Sequence, residues 1–276
     1  MSDKHPIITI EAGHTQKGYL QSVYKSRELL YFLAWRDIIV RYKQAFFGIA
    51  WAIVRPLLNM LAFTLIFNRI AHLESANVNY ALFVLAGMLP WQFFSGSVMD
   101  TSNSLLTNAS LITKTYFPRI IIPLAQLGVH FLDFSIGFIC LLILMPFMGA
   151  SFGLSLFALP FLIALLFILS SAVAFWLSSI TVQYRDVRFI VPFMVQFGVF
   201  ISPVGYSSDL IPENLKWFYF LNPLVGIIDG FRFAFFGIAS TDLSYTLLIS
   251  IFVTFGLFIS GYFYFLKKER YFADRI

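Results

Sequence analysis

The stretch Trp217–Ala239, WFYFLNPLVGIIDGFRFAFFGIA, decides how this chain folds. Its length and apolar content fit a membrane crossing, which takes roughly 20 mostly apolar residues. Yet Asn222, Pro223, Gly226, Asp229, Gly230 and Arg232 interrupt it, and two of these carry full charges. A charge on a lipid-facing helix is costly, so the stretch must either pack inside protein or stop short of crossing. Which of these holds sets the sidedness of everything after it, and the flanking sequence supplies the answer.

Elsewhere the apolar runs are Gly48–Asn68, Tyr80–Val98 with a kink expected at Pro90, Ile120–Pro146, Leu154–Thr181 with Pro160 near its start, a shorter Phe189–Pro203 containing Pro192, and Tyr245–Leu266. If only these six cross, both chain ends share one side. That side holds Lys4, Lys17, Lys25, Arg27, Arg36, Arg41, Lys43, Arg55, Lys114, Arg119, Arg185, Arg188, Lys267, Lys268, Arg270 and Arg275, which are 16 of the 19 basic residues. The other side keeps Arg69, Lys216 and Arg232. Basic residues gather on the cytoplasmic side, and a seventh crossing would put the cluster Lys267–Arg275 outside. The expectation is therefore an all-α integral membrane protein with six transmembrane helices and both termini cytoplasmic. Trp217–Ala239 becomes a re-entrant pair of short helical pieces between spans five and six. Irregular backbone at membrane depth is tolerated only where it is packed in protein or lines a wet cavity. The stretch is thus either part of a pathway or a lid on the outer span ends, and the residues leave both open.

Composition agrees. Of 276 residues, 59% are hydrophobic, 34 are Phe and only 12% are charged, about half the usual charged share of a soluble domain. One soluble core could not hide that much apolar side chain, which excludes a disordered chain, a secreted disulfide scaffold and a cytosolic enzyme. The net charge of +5 sits in the gaps between apolar runs, not along one basic face, so nucleic acid is not the partner. Cys140 has no second cysteine and lies in an apolar run, an inert position. The first 28 residues lack the short apolar core of a cleavable signal, so the first span is expected to act as its own insertion signal. The chain divides into a polar N-terminal tail (1–21), a cytoplasmic interfacial helix (22–47), a single six-span domain (48–266) and a cytoplasmic tail (267–276).

Ser22–Lys43 reads SVYKSRELLYFLAWRDIIVRYK. Leu29, Phe32, Leu33, Ile39 and Tyr42 recur near helical spacing, while Lys25, Glu28, Arg36 and Lys43 lie toward another face. Asp37 and Arg41 are placed for an i,i+4 ion pair. This is the pattern of an amphipathic helix lying on the cytoplasmic leaflet, with Trp35 as its headgroup anchor.

Catalytic signatures are missing: the sequence holds no G-x-x-x-x-G-K-[ST], no G-x-S-x-G and no H-E-x-x-H. Its four His include His5 and His14 in the polar tail and His72 in the first outer loop, none at metal-ligand spacing with a cysteine. His130 and Asp133, at i,i+3 on the third span, form the one suggestive intramembrane pair. Such a pair reads as a proton relay or as a hydrogen-bonded contact that neutralises itself, and the lack of a matching set on other spans favours the second. Asp100, at the cytoplasmic end of the second span, is expected to be hydrated. Any energy input must then enter through the cytoplasmic loops Thr107–Arg119 (TNASLITKTYFPR) and Gln183–Arg188 (QYRDVR). In the first of these, Asn108 or Ser110 is placed to cap a short helix that Pro118 ends.

Four blocks in order carry a resemblance: WRDIIVRYKQAFFGIAWAIVRPL (Trp35–Leu57), YFPRIIIPLA (Tyr116–Ala125), SPVGYSSDLIP (Ser202–Pro212) and NPLVGIIDGFRFAFFG (Asn222–Gly237). Together they resemble the permease subunit of ABC exporters for polysaccharides and polyol phosphates, over about residues 25–270. The resemblance implies a homodimer that forms a channel, driven by two separate ATP-binding subunits that hold the ATP and Mg. This chain would then need no cofactor and would be no enzyme. It implies a gate and coupling helix within Thr107–Pro118. Lys114, Thr115, Tyr184, Arg185, Asp186 and Arg188 would lie near the ATPase, with Arg36 and Arg41 on the N-terminal helix that embraces it. Arg55, Trp91, Phe93, Phe94, Tyr116, Phe117 and Arg119 are the candidates for the inner mouth and channel wall, and Asn222, Pro223, Asp229, Gly230 and Arg232 for the external gate. The implied cargo is a lipid-linked polysaccharide, O-antigen-like, exported across the bacterial inner membrane. Its phosphates would meet Arg55, Lys114 and Arg119, unless Arg55 only snorkels. Capsular polysaccharide or teichoic acid would make the same demands on the channel. A proton-coupled secondary transporter is the rival of another class, but it calls for inverted repeats that the sequence does not display.

Overall fold

The computed structural model describes residues 19–43, 48–70, 72 and 78–275, and no strand occurs among them. Lys4, Lys17, His5, His14 and residues 44–47 lie outside the described residues. In chain order the helices are α1 (Tyr19–Lys25), α2 (Arg27–Lys43), α3 (Trp51–Phe63), α4 (Tyr80–Thr107), α5 (Ala109–Lys114), α6 (Ile121–Phe147), α7 (Leu159–Gln183), α8 (Val187–Ile201), α9 (Glu213–Tyr219), α10 (Pro223–Phe236), α11 (Leu243–Glu269) and α12 (Phe272–Arg275). The interfacial segment is thus two helices rather than one. A turn at Ser26, whose N–H reaches the Ser22 carbonyl at 3.1 Å, separates them. Tyr31, Phe32, Trp35 and Val40 of α2 stay exposed while Leu33 is buried.

Five helical segments are long and apolar enough to cross a membrane among the described residues: Gly48–Ile70, Tyr80–Thr107, Ile121–Phe147, Leu154–Gln183 and Leu243–Glu269. The first is α3 with a 3-10 turn before it and a π-helical extension, Thr64–Ile70, after it. The second runs nine residues past its expected end at Val98. The sixth apolar run is α8, of 15 residues. At 1.5 Å per residue it is about 22 Å long, short of a hydrocarbon core of about 30 Å. The deciding stretch breaks where Asn222 and Pro223 stand: α9 ends before them, and α10 begins with Pro223 at its first position and the Asn222 carboxamide capping the Leu224 N–H at 3.1 Å. Gly237 closes α10 in the left-handed conformation, φ 70°. The 14 residues of α10 reach only about 21 Å, so α10 alone is too short to cross.

α4 is the hub, in contact with α3, α6, α7, α8 and α10. In its most apolar 18-residue stretch 67% of residues are buried, against 11% for the first span. Small and hydroxyl side chains let neighbours approach it closely. Several of its buried hydroxyls bond to the preceding turn, as in Thr101 to the Ser97 carbonyl at 2.6 Å and Ser104 to the Thr101 carbonyl at 2.8 Å. Two apolar cores result. One fills the bundle around Leu85, Leu89, Phe134, Phe231 and Phe235. The other lies beneath α2 and α5 and gathers Leu33, Ile112, Phe117, Phe175, Phe265 and Phe272.

Candidate functional site

A cavity of about 770 Å³ opens between α3, α4, α6 and α8. On α3 it is lined by Trp51, Arg55, Asn59 and Phe63, four residues apart and so stacked on one helix face. Trp91, Gln92 and Phe93 of α4, Phe134 of α6, and Gln196 and Phe200 of α8 complete the wall. Amides from three helices, Asn59, Gln92 and Gln196, therefore face one space. The Gln92 Nε2 is buried and has no hydrogen-bond partner among the described residues, so this donor is available to a group in the cavity. Arg55 is exposed to the cavity, and no ion pair among the described residues engages it.

One end of the cavity is ionic, lined by Arg41, Tyr42, His130 and Asp133. Arg41 of α2 reaches Asp100 of α4 at 2.5 Å and Asp133 of α6 at 2.9 Å. The Tyr42 hydroxyl donates to Asp133. His130 Nε2 lies 2.8 Å from the Asp100 carboxylate, so that nitrogen must carry the hydrogen, because a carboxylate only accepts. Gly96 makes room for this contact: a Cβ there would fall 2.7 Å from the His130 ring. Three expectations are corrected here. His130 and Asp133 do not pair with each other, since Asp100 holds the first and Arg41 and Tyr42 hold the second. Asp100 is not merely hydrated. Asp37 does not pair with Arg41; it accepts from Arg36 at 2.8 Å and from Gln126 of α6 at 2.6 Å. In each case a partner from another helix reaches the charge better than the one at regular helical spacing.

Of the expected channel residues, Arg55, Trp91 and Phe93 line the cavity and the others do not. Phe94 packs against Trp91, with ring centroids 6.2 Å apart. Phe117 is buried in the inner core, Tyr116 is exposed, and Arg119 donates through its guanidinium to the Glu269 carbonyl. The coupling candidates are surface groups: Lys114 and Thr115 at the end of α5, and Tyr184, Arg185, Asp186 and Arg188 in the second loop, are all exposed. Arg36 anchors the start of α5 through the Asn108 side chain at 3.0 Å.

The five gate candidates come together at α10 but leave the cavity wall to others. Asn222 caps the helix and donates to Ser202 at 3.1 Å. Gly230 lets Leu162 approach to 2.7 Å of where a Cβ would stand. Asp229 and Arg232 form a sealed pair at 3.5 Å. Arg232 also donates to the carbonyls of Val204 and Tyr206 at 2.9 and 3.1 Å, and its guanidinium covers the Phe83 ring at 3.6 Å.

Asn59, Gln92, Gln196, Tyr42, Asp100 and Glu269 were not expected at functional positions. The amides left a signal, a carboxamide in the interior of each of three apolar runs. So did Arg41 and Asp100, opposite charges near the ends of different segments. Glu269 left none, because a carboxylate among Lys267, Lys268 and Arg270 reads as solvated.

A largely apolar cavity carrying a few amides and charges, walled chiefly by membrane-length helices, is the construction of a membrane transport protein. The chain belongs to the ABC-2 type transporter family, whose pattern matches residues 28–236. It is 31% identical over 254 residues to an O-antigen export system permease protein, RfbA, of Klebsiella pneumoniae, covering 90% of this chain and 94% of that one. It is 28% identical to an RfbA permease of Myxococcus xanthus, over 79% of this chain and 84% of that one. It is 24% identical to the polysialic acid transport protein KpsM of Escherichia coli, over 81% and 89%. The family resemblance carried by the four sequence blocks is thereby borne out, and the chain is a multi-pass membrane permease of this family.

Proposed function

We propose that this chain is the channel subunit of an ATP-driven exporter that moves a lipid-linked, O-antigen-like polysaccharide across the bacterial inner membrane. Two copies form the conduit and two separate ATP-binding subunits, holding the ATP and Mg, drive it. In this reading α8 continues through residues 202–206 as the sixth crossing, both termini are cytoplasmic, and α9–α10 close the outer side. Arg232 and Asp229 then buttress that closure from within the bundle.

The observation that carries the reading is the cavity wall. Aromatic rings offer flat apolar faces to the CH faces of sugars, and carboxamides both donate to and accept from hydroxyls. Trp51 and Trp91 with Asn59, Gln92 and Gln196 supply both kinds of contact. Such contacts are individually weak, and passage requires contacts weak enough to leave. Arg55 is the free cation beside them and suits a pyrophosphate at the lipid end of the polymer. The wall is unfinished on the α3 and α8 sides, where Ile53, Leu58, Leu61, Phe193 and Phe197 are exposed; a second copy would complete it.

The test replaces Arg55 with Ala and, separately, Gln92 with Leu in cells that depend on this chain, and follows polymer at the surface at equal protein level. Each change is expected to lower export about tenfold, the weight of one lost charge-assisted or buried hydrogen bond. Unchanged export in both removes the cavity from the pathway. The proton-coupled alternative is answered by proteoliposomes holding this chain alone: transport under a pH gradient without ATP would replace the present reading.

A further inference from the structure

Residues 267–275 read in sequence as a solvated basic tail, yet their carboxylate and their aromatic rings are put to use. α11 runs on to Glu269, and a turn then carries the chain into α12. Glu269 Oε1 accepts the backbone N–H of Arg119 at 2.6 Å, and the Glu269 carbonyl accepts from the Arg119 guanidinium. Phe272 is 1% exposed. It meets Phe265 edge-on at 5.3 Å and sits in one apolar cluster with Ile112 of α5 and Phe117 of the first cytoplasmic loop. One residue before Glu269, the Lys268 ammonium donates to the Gln183 carboxamide at 2.9 Å, and Gln183 donates to Tyr264 of α11 at 3.0 Å. Gln183 is the last residue of α7 and opens the second cytoplasmic loop. α12 touches both α5 and α7.

The local chemistry explains why the contacts form. α6 begins just after Arg119, and Ile120 at its N-cap position offers no side-chain acceptor. Backbone N–H groups at a helix start need acceptors from outside the helix, and an acid there is favoured by the helix dipole. The first N–H groups of α6 are met locally, Ile121 by the Pro118 carbonyl and Ile122 by the Arg119 carbonyl, both at 3.2 Å. Glu269 comes from a different span to take the Arg119 N–H just before the N-cap, which sets its carboxylate beside the helix start. The first cytoplasmic loop is thus tied to Glu269 and Phe272, and the second to Lys268 beside them.

We infer that Lys268, Glu269 and Phe272 form a strut that holds the two cytoplasmic loops as one body, with Glu269 and Phe272 as positioning residues for energy coupling. The inference rests on the reading that those loops dock an ATPase. A push on α5 or on Tyr184–Arg188 is then passed to α11 without being absorbed as separate loop motion. A coupling element needs such a contiguous packed route with few soft joints.

The experiment co-expresses the full chain with its ATPase subunit and reads polymer moved per ATP hydrolysed in proteoliposomes. Glu269→Ala and Phe272→Ala are expected to retain the ATPase and its hydrolysis but to lower that ratio about tenfold. Glu269→Gln keeps Oε1 as acceptor for the Arg119 N–H and is expected to stay within about twofold of the unchanged chain. A Gln variant as defective as the Ala variant overturns the positioning role, and so do Ala variants with an unchanged ratio. An unchanged chain that retains no ATPase overturns the docking reading and the strut together, which separates the two failures. A second measurement does not depend on the alanine variants folding. In a Cys140→Ser background, Ile112→Cys and Phe272→Cys are joined by a short bifunctional thiol reagent. Joining with export intact supports the strut; failure to join, or joining that stops export, overturns it.

Discussion

The molecule contains two arginine–aspartate clusters of similar chemistry in opposite surroundings. The outer one, Asp229–Arg232, has side chains 4% and 6% exposed. Every strong contact it makes is local to the outer layer: the Val204 and Tyr206 carbonyls, the Phe83 ring and the Ser208 hydroxyl at 2.5 Å from Asp229. The inner one joins α2, α4 and α6, and Arg41, Asp133 and Asp100 keep 29%, 28% and 42% of their side-chain surface open. A sealed pair is strong only while complete, because either member alone is a buried charge. A pair with water at hand loses less when it parts. The outer cluster is therefore a fastener, and the inner one is a joint that can reorganise between α2 and the cavity.

The largest effect should come from breaking the fastener. Arg232→Ala strands Asp229 and is expected to cost about 3–5 kcal/mol, read as a collapse of folded yield or of the melting point in detergent. A variant that melts with the unchanged chain would erase the contrast. Next come two glycines of α4, one beneath each cluster. A Cβ at Gly87 would stand 2.9 Å from the Arg232 guanidinium and 3.1 Å from the Val204 carbonyl, while one at Gly96 meets only the His130 ring. Gly87→Ala is expected to cost about 1–3 kcal/mol, and Gly96→Ala less, because its neighbour borders a cavity and can yield; paired melting curves would show the order. Arg41→Ala should cost about 1–2 kcal/mol after allowance for the water around its partners, while its effect on export exceeds its effect on melting. Equal proportional losses would make Arg41 a second fastener.

The smallest effect is at Asp209, an exposed acid at the outer surface. Partial burial raises its pKa, but the Thr241 backbone N–H at 2.9 Å and the Ser207 hydroxyl hold it below the usual carboxylate value. A depressed folded pKa means that the stabilisation is complete above the unfolded pKa of about 4 and is lost as pH falls through the folded value. Asp209→Asn should change the melting point by a few tenths of a kcal/mol equivalent at neutral pH and flatten its fall on acidification. A fall as steep as that of the unchanged chain would assign the acid sensitivity elsewhere.

The contrast also explains what could be read in advance. The five long helices follow from run length alone, and the break between α9 and α10 follows from Asn222 and Pro223, whose effects are local. The roles of Arg41, Asp37 and His130 depend on which helix lies beside which. Helical spacing offered each a neighbour on its own helix; other helices took Arg41 and His130, while Asp37 is held by the adjacent Arg36 and by Gln126 of α6. Trp91 and Arg55, expected at the channel wall, do line the cavity, because an aromatic ring and a cation within apolar runs advertise themselves. Gln92 needed α3 and α8 to be in position before its amide had a space to face. Most of the 34 Phe are accounted for by packing and by the open helix faces.

The sparse burial of α3 has a consequence in the order of synthesis. A ribosome delivers this segment before the four other long apolar helices among the described residues, and the folded chain still covers only 11% of its most apolar stretch. The helix that arrives earliest is thus the one its own chain grips least. Under the proposed pairing of two copies, completion of the conduit wall would be postponed past the end of translation, to an encounter in the plane of the membrane.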